Sequence, residues 1–375
     1  MGLQFNVRSQ EKDNLTLELK FEEGNVVKLP KAEGPFLPAE WYPQSGVQLT
    51  WPHKDTDWCD LLPQVTECYV RMAYEIASRE KLLIVTPEKE AVEKLLSEKL
   101  PANVLPNILW MECPTNDTWA RDHGFITCMS EQGAELLDFR FNGWGMKFAA
   151  NYDNQINRLL FAAKMVRGDY RNHQGFVLEG GAIESDGEGT ILTTSPCLLA
   201  PNRNEPKSRE EIEEYLKQAF HAKRVLWLDH GYLAGDDTDS HVDTLARLCP
   251  NDTIAYVQCT DKDDEHYEEL FRMEEQLKEF RTLEGEPYKL VPLPMADAAF
   301  DEDGQRLPAT YANFLILNDA VLMPTYNQPA KDELALKQLQ KAFPKHSIVG
   351  IDCRVLIEQH GSLHCCTMQY PAGVL

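Results

Sequence analysis

The sequence predicts one α/β fold in which five hairpin-and-helix modules surround a central axis. Three observations lead there. Two stretches share one shape: TWARDHGFITCMSEQGAELLDF and FVLEGGAIESDGEGTILTTSP each read as strand, turn, strand, with turns at Glu131–Gly133 and Asp186–Gly189. Looser copies follow. DSHVDTLARLCPNDTIAYVQC turns at Pro250–Asp252, LPATYANFLILNDAVLMPTYN turns at Asn318–Asp319, and HGSLHCCTMQYP supplies a single strand. Helical or charged stretches separate the copies: Asn151–Lys164, Ser208–Ala222, Asp263–Arg281 and Asp332–Ala342.

The last copy lacks its second strand. The apolar run Gly46–Pro52 can supply it, which would close the ring and remove two sheet edges. Leu61–Arg79 has helical spacing, KLLIVTP reads as a buried strand, and Pro87 opens a further helix to Leu96. Residues 1–36 are charged and weakly patterned, with Pro30 and Pro35. They are expected to form a partly mobile N-terminal segment ahead of a single catalytic domain, 37–375.

Composition narrows the function. The 375 residues carry 60 Asp+Glu against 37 Lys+Arg, a net charge of −23. Nucleic-acid binding needs clustered Lys and Arg, so that class is excluded, and the same field attracts small cations. No apolar run is long enough for a membrane span, and the first ten residues have no apolar signal core. Ten cysteines without a C-x-x-C pair fit a reduced, cytoplasmic setting. Self-association is left open.

A ring brings equivalent residues of distant modules to its axis. Asp122, Glu179, His241, Asp243 and Cys365 therefore converge on one cavity. Each has a plainer reading: a turn cap, a glycine bulge, a charged loop, a core thiol. In GDDTDSHVD the spacing fits neither an EF-hand nor a zinc site, so a metallohydrolase fails on ligand geometry. On a strand, His241 and Asp243 share a face, whereas Cys365 and Cys366 oppose each other. A nucleophilic thiol needs an acid/base partner, which His241 can be. Three carboxylates nearby make a poor oxyanion site but a good cage for a planar cation such as a guanidinium. They raise a thiol's pKa, and a bound cation reverses that effect.

Seven motifs in order then carry a resemblance: LPAEWYPQSGVQLTWP, TWARDHG, FNGWG, VLEGGAIESDGEGTILTT, CLLAPNRN, GDDTDSHVDTLAR and HGSLHCCTMQ. From Leu37 to Pro371 the chain is similar to the agmatine deiminase family, the agmatine iminohydrolases. These are guanidine-modifying enzymes with a five-bladed α/β propeller, or pentein, fold. The resemblance implies hydrolysis of agmatine to N-carbamoylputrescine and ammonia on the way to putrescine, with no metal and no cofactor. It assigns Cys365 as nucleophile, leaving a covalent amidino-cysteine, and His241 as general acid/base. Asp122 and Asp243 would hold the guanidinium, Glu179 would charge His241 and touch substrate, and Trp119 would line the pocket. Where the family has an aliphatic residue after the nucleophile, this chain has Cys366. Rival readings are deimination of peptidyl-arginine, free arginine or a methylated guanidine, and a non-enzymatic polyamine-binding protein. Arg121, one strand position from Asp122, would point away from the pocket and leave no cation for an arginine carboxylate.

Overall fold

The computed structural model describes residues 18–20, 26–28 and 34–375. The expectation for residues 1–36 lies almost wholly outside the described residues. Two short strands there, β1 (Glu18–Lys20) and β2 (Val26–Lys28), pair antiparallel.

The body is a set of five small sheets of one topology. The strands in chain order are β3 (Gln44–Thr50), β4 (Lys81–Thr86), β5 (Ile108–Glu112), β6 (Ile126–Ser130), β7 (Gly133–Arg140), β8 (Asp169–Val177), β9 (Ile183–Ser185), β10 (Thr190–Thr194), β11 (Arg224–Leu228), β12 (Ala246–Cys249), β13 (Thr253–Gln258) and β14 (Lys289–Pro294). A two-residue hairpin pair follows, β15 (Ala299–Phe300) with β16 (Arg306–Leu307), then β17 (Leu315–Ile316), β18 (Ala320–Thr325), β19 (Ser347–Asp352) and β20 (Thr367–Pro371). In β6-β7-β8, β9-β10-β11, β12-β13-β14 and β17-β18-β19, an antiparallel hairpin is followed by a third strand that runs parallel to the second. The fifth sheet repeats this across the chain ends and adds one strand: β20 pairs antiparallel with β3, β3 parallel with β4, and β4 parallel with β5. The expected closure by the N-terminal strand is therefore present, with Thr367 opposite Leu49 and Gln369 opposite Val47. The fold is a pentein.

The repeat contains one more strand than the sequence predicted. Each unit is hairpin, helix, parallel strand, because a parallel partner needs a crossover and the helix supplies it. The helices carry narrow apolar stripes. Leu62–Ala77 buries Val65, Tyr69, Met72, Ala73 and Ile76, and Arg209–Phe220 buries Ile212, Leu216 and Phe220. Ser208 and Glu211 form a reciprocal capping box that starts the second of these.

One buried side chain joins several modules at the axis. Arg247 Nε donates to Glu184 (2.6 Å), Nη2 to Glu40 (2.7 Å) and Nη1 to the carbonyls of Ala312 and Phe314, and its guanidinium lies 4.4 Å from the Phe314 ring centroid. His364 completes the cluster, spanning Glu40 Oε2 (2.8 Å) and Asp243 Oδ2 (2.7 Å). Arg247→Ala would strip Glu184 of its ion-pair partner and leave buried Glu40 with only His364 close by. A loss of about 3–5 kcal/mol is expected, read as a lower urea midpoint at unchanged slope.

Candidate active site

The chain reaches the axis in turns rather than strands, which corrects the sequence-based geometry. Asp122 lies in the helical turn Ala120–His123. Glu179 precedes the turn Gly180–Ala182, and His241 precedes the turn Val242–Thr244 that contains Asp243. Cys365 lies in a turn just before β20. Five chains converging on one axis must bend sharply, and a single 3₁₀ or α turn turns the backbone while keeping its N–H groups paired. The strand argument still separates the thiols correctly. Cys365 faces the cavity, and Cys366 packs on the opposite side against Tyr69 and Cys68. Arg121 does point away from the pocket, although on a helical turn.

Trp119, Asp122 and Cys365 line a cavity of ≈ 590 Å³ that is partly open to solvent. Glu179, His241 and Asp243 have no exposed surface and lie beneath it. Asp122 is held by two donors: Gly181 N–H to Oδ1 (3.1 Å) and Trp144 Nε1–H to Oδ2 (3.0 Å). His241 Nδ1 stands 3.6 Å from Asp122 Oδ1. Cys365 Sγ lies 3.4 Å from Asn313 Oδ1 and 3.9 Å from Asp243 Oδ2. Both ring nitrogens of His241, and Asp243 Oδ1, are buried without a hydrogen-bond partner among the described residues. Groups of this kind are costly to leave unmade and mark a place for a ligand.

Gly181 makes the assembly possible. A Cβ there would stand 2.6 Å from His241 Nδ1, 2.9 Å from Asp122 Oδ1 and 3.1 Å from Asp243 Oδ2. Gly361 does the same for the wall, since a Cβ would meet the Trp119 ring at 2.2 Å. Trp144 sits at φ 55, ψ 51, between left-handed Gly143 and Gly145. That conformation costs about 1–2 kcal/mol in a residue with a side chain, and it aims the indole at Asp122.

The electrostatics fit a cation. Burial pushes the Asp122 carboxyl up to about 6, against the pull of His241. Burial alone would lower the His241 pKa, but Asp122, Cys197 and Glu179 outweigh it and raise it to about 10. Burial, then Asp243 and Asp122, hold the Cys365 thiol well above its usual range. Burial likewise opposes ionisation of Asp243, but the His364 hydrogen bond prevails and lowers its pKa. A carboxylate grips a cation only when ionised, and an imidazole is an acid only while protonated. kcat/KM is therefore expected to rise as pH passes about 6 and to fall as pH passes about 10, for the Asp122–His241 pair as a unit. A full plateau below pH 5 would contradict this.

Glu179 makes no hydrogen bond to His241 here. Both of its oxygens accept from Arg203 Nε, at 3.1 and 3.2 Å, and Arg203 Nη1 donates to Asp239 (2.6 Å). Glu179, Cys197 and His241 bring donor atoms within 4.8 Å of one another, a spacing a metal could use. A carboxylate neutralised by Arg203 beside a protonated imidazole is poor ligand chemistry, because metals need the neutral ring. The sequence reading missed Asn313, Trp144, Arg203 and His364 as site residues. FNGWG, CLLAPNRN and HGSLHCCTMQ already contained three of them, Trp144, Arg203 and His364. Asn313 was within reach of the repeat, since the fourth module's axial turn holds it.

Residues 36–371 match the model of the Porphyromonas-type peptidyl-arginine deiminases. The chain belongs to that family. A Marinomonas sp. (strain MWYL1) protein named "Putative agmatine deiminase" is 33% identical, over 91% of this chain and 96% of its own. A Legionella pneumophila protein of the same name is 34% identical, over 92% and 98%. Among solved structures, a "Putative Arginine Deiminase" from Porphyromonas gingivalis is 52% identical with a TM-score of 0.86, covering 91% of this chain and 99% of that one. A C. jejuni agmatine deiminase variant with substrate bound is 37% identical with a TM-score of 0.83, covering 91% and 97%. The family member described here is thus an enzyme of the guanidine-deiminating class, and the names of its relatives differ in the guanidine they act on.

Proposed function

We propose that the protein hydrolyses agmatine to N-carbamoylputrescine and ammonia through a covalent amidino-cysteine on Cys365. The observation that carries the substrate choice is the charge of the cavity. Among the described residues its lining includes Asp57, Asp117, Asp122 and Asp237, and no Lys or Arg. The guanidinium end of agmatine suits Asp122 and Asp243, and its distal ammonium suits the remaining acids. Free arginine would bring a carboxylate among them, and the nearby cation Lys147 is already paired with Asp239 (2.9 Å). Beside the lining residue Asp237, Lys147 Nζ donates to the Asp237 carbonyl (2.6 Å) as well.

The steps follow from the groups present. Binding of the cation lowers the Cys365 pKa, and the thiol proton leaves to solvent. The thiolate adds to the guanidinium carbon, forming a C–S bond and a neutral tetrahedral adduct. His241, as imidazolium, protonates one nitrogen, the C–N bond breaks, and ammonia departs. The cationic thiouronium remains on sulfur. Neutral His241 then takes a proton from water as the oxygen adds to the same carbon. Collapse expels the thiolate, the adduct's hydroxyl proton leaves to solvent, and the ureido product remains. Asp122 and Asp243 hold the reacting carbon in place at each stage. Glu179, beside His241 and tied to Arg203, supports the positive imidazole.

A panel of agmatine, arginine and arginine peptides, assayed for ammonia with and without chelator, tests this reading. Agmatine should be preferred by at least about 10²-fold in kcat/KM, unaffected by chelator. Preference for a peptide would instead support peptidyl-arginine deimination, the activity in the family's name. Tight polyamine binding without ammonia release would support a non-enzymatic binding protein.

A further inference from the structure

We propose that a small carboxylate binds at Arg121, in a second chamber behind the active site. The turns at Arg121–Asp122 and Gly180–Gly181 divide two spaces. Asp122 and Gly181 face the catalytic groups, whereas Arg121 and Gly180 line a separate cavity of ≈ 610 Å³ that is partly open to solvent. Arg121 is 4% exposed. Its Nε and Nη2 have no hydrogen-bond partner among the described residues, and Nη1 reaches only the Met368 sulfur at 3.6 Å. The nearest carboxylate is Glu40 Oε2, 4.0 Å from Nη2. That oxygen already accepts from Arg247 at 2.7 Å and faces His364 at 2.8 Å. Glu184, also on the chamber wall, is occupied by Arg247 Nε and by the Leu248 N–H. A buried guanidinium without a close counter-charge is expensive.

The two free nitrogens decide the ligand. Nε and Nη2 form one edge of the guanidinium, and their N–H bonds run parallel, a match for the two oxygens of a carboxylate. Other open valences lie on the same wall. Thr127 Oγ1, Gln44 Oε1 and Gln369 Oε1 are buried without partners among the described residues. The Gln44 amide is oriented, because its Nε2 donates to the carbonyls of Glu40 (2.6 Å) and Ile316 (3.0 Å). Its oxygen therefore offers an acceptor. The complementary molecule is a short acid bearing a hydroxyl or amino donor. An occupant would also steady the catalytic turn, since the Arg121 backbone N–H donates to the Cys365 carbonyl (3.1 Å). The inference does not depend on which guanidine the enzyme takes, and its test uses no turnover.

Glycolate and acetate, with chloride at matched ionic strength as reference, would be titrated against the full chain by calorimetry and thermal unfolding. Crystals would be soaked in glycolate. The expected result is a Tm that rises with glycolate concentration, a carboxylate side-on to Arg121 Nε and Nη2, and affinity reduced about 10–100-fold in Arg121→Met. Thr127→Val, which keeps the charge and the volume, should fold even if Arg121→Met does not. It should weaken glycolate more than acetate. Only water at Arg121 in the soaked crystal would overturn the proposal. So would a carboxylate of the chain's own residues 1–33 in that place, or equal glycolate response in wild type and Thr127→Val.

Discussion

Cys365→Ala is expected to abolish ammonia release, whereas Cys366→Ala keeps most of it. The two thiols are neighbours in sequence and both are buried, so solvent exposure does not separate them. Their surroundings do. Cys365 lines the cavity, within 3.9 Å of Asp243 and 3.4 Å of the Asn313 side chain, and that Asn313 oxygen also accepts the backbone N–H groups of His364 and Cys365. Cys366 lies against Tyr69 and does not line the cavity. Loss of the nucleophile is expected to lower kcat on the order of 10⁶-fold, the scale set by removing a covalent nucleophile elsewhere. Cys366→Ala removes one buried sulfur and should appear mainly in stability. Equal loss in both variants would place the reacting thiol wrongly.

His241→Asn is the second large effect, with a fall in turnover of about 10²–10⁴-fold. The imidazole has two duties, donating a proton to ammonia and then accepting one from water. Its position supports both, since neither ring nitrogen is committed to a partner among the described residues and Asp122 lies 3.6 Å away. Asn keeps the polar contact but can do neither duty. The first half-reaction should slow along with the second, so little adduct should accumulate. If the adduct instead builds up and persists, His241 acts only in hydrolysis.

Much of the ring was legible because its hairpins carry local signals. Glu131–Gly133, Asp186–Gly189 and Asn318–Asp319 are turn sequences between apolar runs, and each is a turn in the structure. The third strand of the fifth unit, β4, was legible as the buried run KLLIVTP, but those of the other four units were not. In those four it lies at a sheet edge, so it tolerates residues that argue against a strand: β14 contains Pro292 and Pro294, and β8 reads DYRNHQGFV. The site divides in the same way. Asp122, Glu179 and His241 stand at equivalent points of a repeat, with Asp243 and Cys365 one or two residues from such points, and a repeat can be seen in sequence. Glu40 and His364 are 324 positions apart yet 2.8 Å from one another. Only the closed ring brings them together, and no local pattern announces it. The same holds for Trp144 and Asp122, joined through a left-handed turn.

The central claim is a covalent bond between Cys365 and the guanidine carbon. Rapid-quench mass spectrometry of wild-type enzyme during agmatine turnover tests it most directly. The Cys365 peptide should carry the amidino group of the substrate, at a level that rises before steady state and is absent in Cys365→Ser. No adduct on that peptide at any quench time, with Cys365→Ser turning over near the wild-type rate, would mean that water attacks the guanidinium directly.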